Sequence, residues 1–110
     1  MNEPEKGFYY HYKHDPGGTV NNYAYEVVGV ARHTELQDPA IDKLVIYRKI
    51  DKSDFYGDGK YLGARPLGMF LETVMKGEEM LSRFTKITDP AVIAELVTIR
   101  DRMYSDSNLN

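Results

Sequence analysis

Apolar and aromatic positions alternate with polar ones through most of the chain and change to helical spacing only near its end, which predicts a β-rich body followed by one helix. Residues 8 to 12 read Phe-Tyr-Tyr-His-Tyr, a strand built from the aromatic residues that strands favour. Alternation places Phe8, Tyr10 and Tyr12 on the expected core face, and Tyr9 and His11 on a face that points outward or lines a rim. A turn-rich stretch follows, His14 to Asn22, with Pro16, Gly17 and Gly18, and it cannot continue a ladder.

"YAYEVVGVAR", Tyr23 to Arg32, returns to β-type residues and carries apolar side chains on both faces near its middle. It is therefore read as an inner strand, with Gly29 marking a bend or bulge. After a polar connection through Asp38-Pro39, "LVIYRKI", Leu44 to Ile50, is the third strand. "DKSDFYGDGK" then reads as an acidic, hairpin-type loop carrying Gly57 and Gly59. Tyr61 to Ala64 would be a short fourth strand, stopped at Arg65-Pro66 because proline has no amide to donate. A tight helical turn over Pro66 to Phe70, an extended Leu71 to Val74, a turn at Lys76 to Glu79 and a last strand around Ser82 to Ile87 complete the body.

Asp89-Pro90 combines an N-cap with proline at the first helical position, where the missing amide is unpaired anyway. Val92, Leu96, Ile99 and Met103 then recur at spacings of 4, 3 and 4, an apolar stripe for packing on the body or on a partner. Five or six short strands with glycine-rich turns and no interleaved helices favour a mostly β fold, a small SH3-like antiparallel barrel with a C-terminal helix. The expected division is a flexible segment over 1–6, the barrel over 7–88, the helix over 89–104 and a polar tail over 105–110.

The chain's 110 residues fit one domain, with 42% hydrophobic and 28% charged residues, the balance of a soluble globular protein. With no cysteine, it has no disulfide, thiolate metal site or cysteine nucleophile. A formal charge of -3 argues against nonspecific binding to nucleic acid. No apolar run approaches the roughly 20 residues that span a bilayer, and the polar Met1 to Lys6 resembles no signal segment, so a cytoplasmic location is expected.

"GFYYHYK", "YEVVGVARHTE", "LVIYR", "ARPLGMFLETV" and "RFTKI" occur in an order and spacing that resemble a small bacterial family, domain of unknown function 1653. The resemblance covers about residues 7 to 87 and implies an SH3-type barrel, with no activity attached. Carried over, its polar positions are His11, Lys13, Arg32, His33, Glu35, Tyr47 and Arg65. The segment between Lys13 and Tyr23 is longer here than the family's usual short turn.

The candidate chemistry centres on His11, Arg32, His33, Glu35 and Arg65, with Tyr47 below them, all where strands meet loops. Guanidinium forks and neutral imidazoles donate to carboxylate or phosphate oxygens, so the leading reading is a noncatalytic module whose rim holds a small anion or an acidic peptide. The competing structural reading pairs Arg32 with Glu35 and turns His11 and Arg65 onto backbone groups. His11, His33 and Glu35 are of types that ligate zinc or iron, but no ligand spacing supports them and no metal or cofactor is assigned. Asp51, Asp54 and Asp58 do not follow the spacing of a calcium loop. Among nine tyrosines, Tyr9, Tyr10, Tyr12, Tyr23, Tyr25 and Tyr47 could line a groove that stacks bases or embraces a cation, although tyrosine is also the usual filler of a small β core. A second function class is a hydrolase or lyase using His33 with Glu35 as an acid-base pair. A third is association, including homo-oligomerisation, through the C-terminal helix.

Overall fold

The computed structural model describes residues 2–51 and 62–104. The proposed acidic hairpin loop, with Asp54, Gly57, Asp58, Gly59 and the strand start at Tyr61, lies outside the described residues, as does the 105–110 tail.

The elements in chain order are β1 (Gly7–His11), β2 (Ala24–Arg32), β3 (Lys43–Lys49), β4 (Gly63–Pro66), α1 (Leu67–Phe70), β5 (Thr73–Lys76), β6 (Glu79–Ser82), β7 (Phe84–Lys86) and α2 (Pro90–Tyr104). Five strands form one antiparallel sheet in the order β4-β3-β2-β1-β7, and β5 and β6 form a separate hairpin. The fold is mostly β, as the alternation predicts. The expected barrel closure is corrected: among the described residues β4 and β7 share no ladder, so the sheet is open. Both edge strands are short, and Pro66 ends β4 by turning the chain into α1 before the sheet can close.

Two cores lie on opposite faces of this sheet. On one, Tyr9, Tyr25, Val27, Val45, Tyr47 and Phe84 pack with Leu67 and Phe70 of α1. On the other, Phe8, Ala24, Ile50 and Ile87 pack with Leu96 of α2, and Val92, Ile99 and Met103 complete the helix's contact. The apolar stripe of α2 is thus laid on the sheet. Asp89 Oδ1 accepts the Ala91 amide at 2.9 Å, the expected cap. Glu26 anchors the helix from the sheet side, accepting from Arg100 Nη1 at 2.8 Å and lying 3.3 Å from Arg48 Nε.

Double-sided coverage overturns the assignment of Tyr9 to an outward or rim position: Tyr9 is only 6% exposed, as is Phe8. A single strand alternation cannot reveal a strand covered on both faces. Gly29 behaves as expected, because the β2–β3 register shifts between Val27 and Gly29. That bulge lets Val27 and Val30, three apart, face the same core.

Candidate functional site

At its first end, β2 brings several chemically distinctive side chains together. Tyr10 pairs with Ala24, and the His11 amide donates to the Tyr23 carbonyl at 3.0 Å, so His11 sits beside the entry to β2. His11 pairs on its other side with Phe84 of β7. Its ring meets the Phe84 ring edge-on at 5.1 Å and lies nearly parallel to Tyr23 at 5.7 Å. Tyr25 follows on the same face, edge-to-face with Tyr47 at 5.5 Å and with Phe84 at 5.6 Å.

Arg65 enters from the opposite edge of the sheet. On β4 it pairs with core-facing Val45, which directs it over the same face. Its guanidinium carbon lies 5.3 Å from the Phe84 ring centre and 5.9 Å from that of Tyr47. Such cation–π contacts hold an arginine without neutralising it. Arg65 makes no ion pair or hydrogen bond with a described residue, and its Nε is enclosed without a partner. Tyr47 reaches across β4 because Gly63 leaves room: a Cβ there would stand 2.7 Å from the Tyr47 Cζ.

Arg83, between β6 and β7, supplies a second guanidinium. It pairs with Glu72 through Nη2 at 3.2 Å, while its Nε is enclosed and unpartnered. Burial, then the charges of Arg65, Arg83 and Lys13, push His11 down to about 4 from its usual 6.5. His11 is therefore a neutral imidazole at physiological pH. The Lys13 amide donates to its Nδ1 at 3.2 Å, so Nε2 carries the proton and is a donor. Burial is likewise the first cause that raises the Tyr25 hydroxyl to about 12, keeping it protonated.

His11, Tyr47 and Arg65 are thus brought together, and Arg32, His33 and Glu35 are not. Arg32 ends β2 and His33 and Glu35 follow it, so the length of the strand, roughly 30 Å of extended chain, separates them from His11. Arg32 pairs there with buried Asp42 at 3.1 Å rather than with Glu35. The Glu35 amide, not its carboxylate, contacts His33, donating to Nδ1 at 3.1 Å. A depression of about 380 Å³ lined by Arg32, His33 and Asp42 marks that end. The potential metal donors His11, His33 and Glu35 are accordingly split between the two ends of the strand.

Sequence reasoning missed Arg83 and Phe84 as parts of this cluster, and reached Tyr23 and Tyr25 only through the aromatic-groove alternative. The available signal was local: Arg83-Phe84, like Arg65, places a fixed positive charge inside a run of strand-forming residues.

Residues 7–86 match the family described as Protein of unknown function (DUF1653), and the chain belongs to that family. No curated protein and no solved structure matches significantly. Among the described residues, no helix is long and apolar enough to cross a membrane.

Proposed function

We propose that this protein is a small binding module that holds an anionic ligand between Arg65, Arg83 and His11, above the aromatic floor of Tyr25, Tyr47 and Phe84. The observation that carries this reading is Arg65, a guanidinium seated on two rings with no carboxylate partner among the described residues. Guanidinium left without a counter-charge beside a neutral imidazole donor is a receptive site for carboxylate or phosphate oxygens. A ligand there gains from partial exclusion of water, because flanking rings lower the local dielectric.

The acid-base alternative draws less support, since Glu35 reaches His33 through its amide and leaves the carboxylate out of contact. Titration with inorganic phosphate, followed by amide and arginine side-chain chemical shifts, tests the binding reading. Saturable shifts at His11, Arg65, Arg83 and Phe84 are expected. Shifts confined to residues 32–42 would overturn it.

A further inference from the structure

We infer that the ligand is a nucleoside monophosphate, with its phosphate on Arg65 and Arg83 and its base stacked on the exposed ring of Tyr23. This rests on the anion-binding reading above and adds the identity of the uncharged part.

Tyr23 has a positive φ of 54°, the only non-glycine residue among those described to do so. A bulky side chain seldom adopts that conformation, which glycine and asparagine accept at far lower cost. The surroundings hold it there. Asn22 Oδ1 accepts the Asp15 amide at 2.8 Å, and Asn22 Nδ2 donates to the Asp15 carbonyl at 3.0 Å, which ties the preceding loop into one unit. The Ala24 amide donates to the Asn21 carbonyl at 3.1 Å, and Asn21 Nδ2 reaches the Ile50 carbonyl at 2.9 Å.

This arrangement serves no core, because Tyr23 belongs to neither apolar cluster and is 37% exposed. What it achieves is to lay one face of the Tyr23 ring against His11 and leave the other without a ring contact among the described residues. Strain maintained for an exposed side chain points to a binding role. An open phenol face is a stacking surface that accepts any planar base.

The charges define the other end of the ligand. Arg65, without an acidic partner among the described residues, Arg83, whose charge Glu72 shares through Nη2, and Lys13 beyond them near Tyr12 gather more positive charge than one carboxylate would neutralise, which suits a phosphate dianion. His11 stands between the two subsites, its ring touching both Tyr23 and Phe84, and Phe84 in turn carries Arg65. A nucleotide laid across His11 would meet a ring, a neutral donor and two cations in succession. Because stacking tolerates every base, little preference among bases is expected.

Calorimetric titration with adenosine 5′-monophosphate, ribose 5-phosphate and inorganic phosphate tests this on the full chain. Base stacking should make the nucleotide about tenfold tighter than ribose 5-phosphate. Tyr23→Asn should remove that advantage, weakening the nucleotide far more than ribose 5-phosphate, and raise Tm by relieving strain. Equal affinities for nucleotide and sugar phosphate, or a lowered Tm with unchanged nucleotide binding in the variant, would overturn the inference while the anion site stood. If none of the three probes binds, both readings fall together.

Discussion

Arg65 and Phe84 lie on the two outermost strands of one open sheet, yet the guanidinium carbon of the first stands 5.3 Å from the ring centre of the second. The sheet therefore curls until its edges meet through side chains, without a backbone ladder between them. An arginine held this way retains its charge. His11, Tyr25 and Tyr47 fill the space beneath the junction, so the candidate site and the curl of the sheet depend on the same rings.

Gly63 is the contact on which this geometry is most exposed to change. A methyl group at Gly63 would stand 2.9 Å from the Tyr47 hydroxyl and closer still to the ring. The ring is buried, so it cannot swing freely aside. Gly63→Ala should destabilise the protein by about 1–3 kcal/mol, the usual cost of overpacking, and weaken anion binding by displacing Tyr47 from Arg65. Chemical denaturation and phosphate titration of the variant measure the two effects.

The low pKa of His11 makes stability depend on pH in a definite direction. The unfolded chain takes up a proton as pH falls through 6.5, whereas the folded chain resists until about 4. The contribution of His11 is fully present above 6.5 and is lost progressively between 6.5 and 4. The groups facing the imidazole are the cations Arg65, Arg83 and Lys13 and the phenols of Tyr12, Tyr23 and Tyr25. Screening of this partly exposed group reduces the effect to about 1–2 kcal/mol. Unfolding free energy measured across this range should show a gentler slope in His11→Gln, and saturating phosphate should raise the His11 pKa.

Much of this fold is legible in the sequence, and the illegible parts have physical causes. Most strands, the bulge at Gly29, the helical turn ending at Phe70 and the Asp89 cap follow from local preferences that the tertiary structure did not oppose, whereas β6 is not legible as a strand of its own. Tyr9 was misplaced because burial on both faces erases the contrast that alternation relies on. The site was half legible. Polar residues near strand ends pick out His11 and Arg65, but the same rule also picks out Arg32 and His33, because β2 has two ends. Only the strand pairing separates them. Tyr23 is picked out only as one of many tyrosines that could line a groove, because its placement depends on a backbone angle, and Arg83 is not picked out at all, because its place depends on neighbours distant in the chain.

That separation can be tested directly. Arg32→Ala and His33→Ala should leave phosphate affinity within about twofold, since neither residue touches the Arg65 cluster. Arg32→Ala should nevertheless lower stability by about 1–3 kcal/mol, because Asp42, 2% exposed, would lose its ion-pair partner. A large loss of binding in either variant would mean that the ligand occupies the other end of β2.

The packing of α2 yields a further expectation. Leu96 is fully buried between the helix and Phe8, Ala24, Ile50 and Ile87. Leu96→Ala should cost about 2–5 kcal/mol, depending on how far the surroundings close on the cavity. The variant should still bind phosphate at temperatures where it remains folded, because the helix covers the opposite face of the sheet. Thermal unfolding and titration below the transition separate the two effects.

The central claim is that Arg65, which has no acidic partner among the described residues, is kept for a ligand, and isothermal titration of phosphate into wild type, Arg65→Lys and Arg65→Ala tests it most directly. Binding should weaken severalfold with lysine, which keeps the charge but loses the planar fork, and vanish with alanine while the chain remains folded. Equal phosphate affinity in all three proteins would contradict the account.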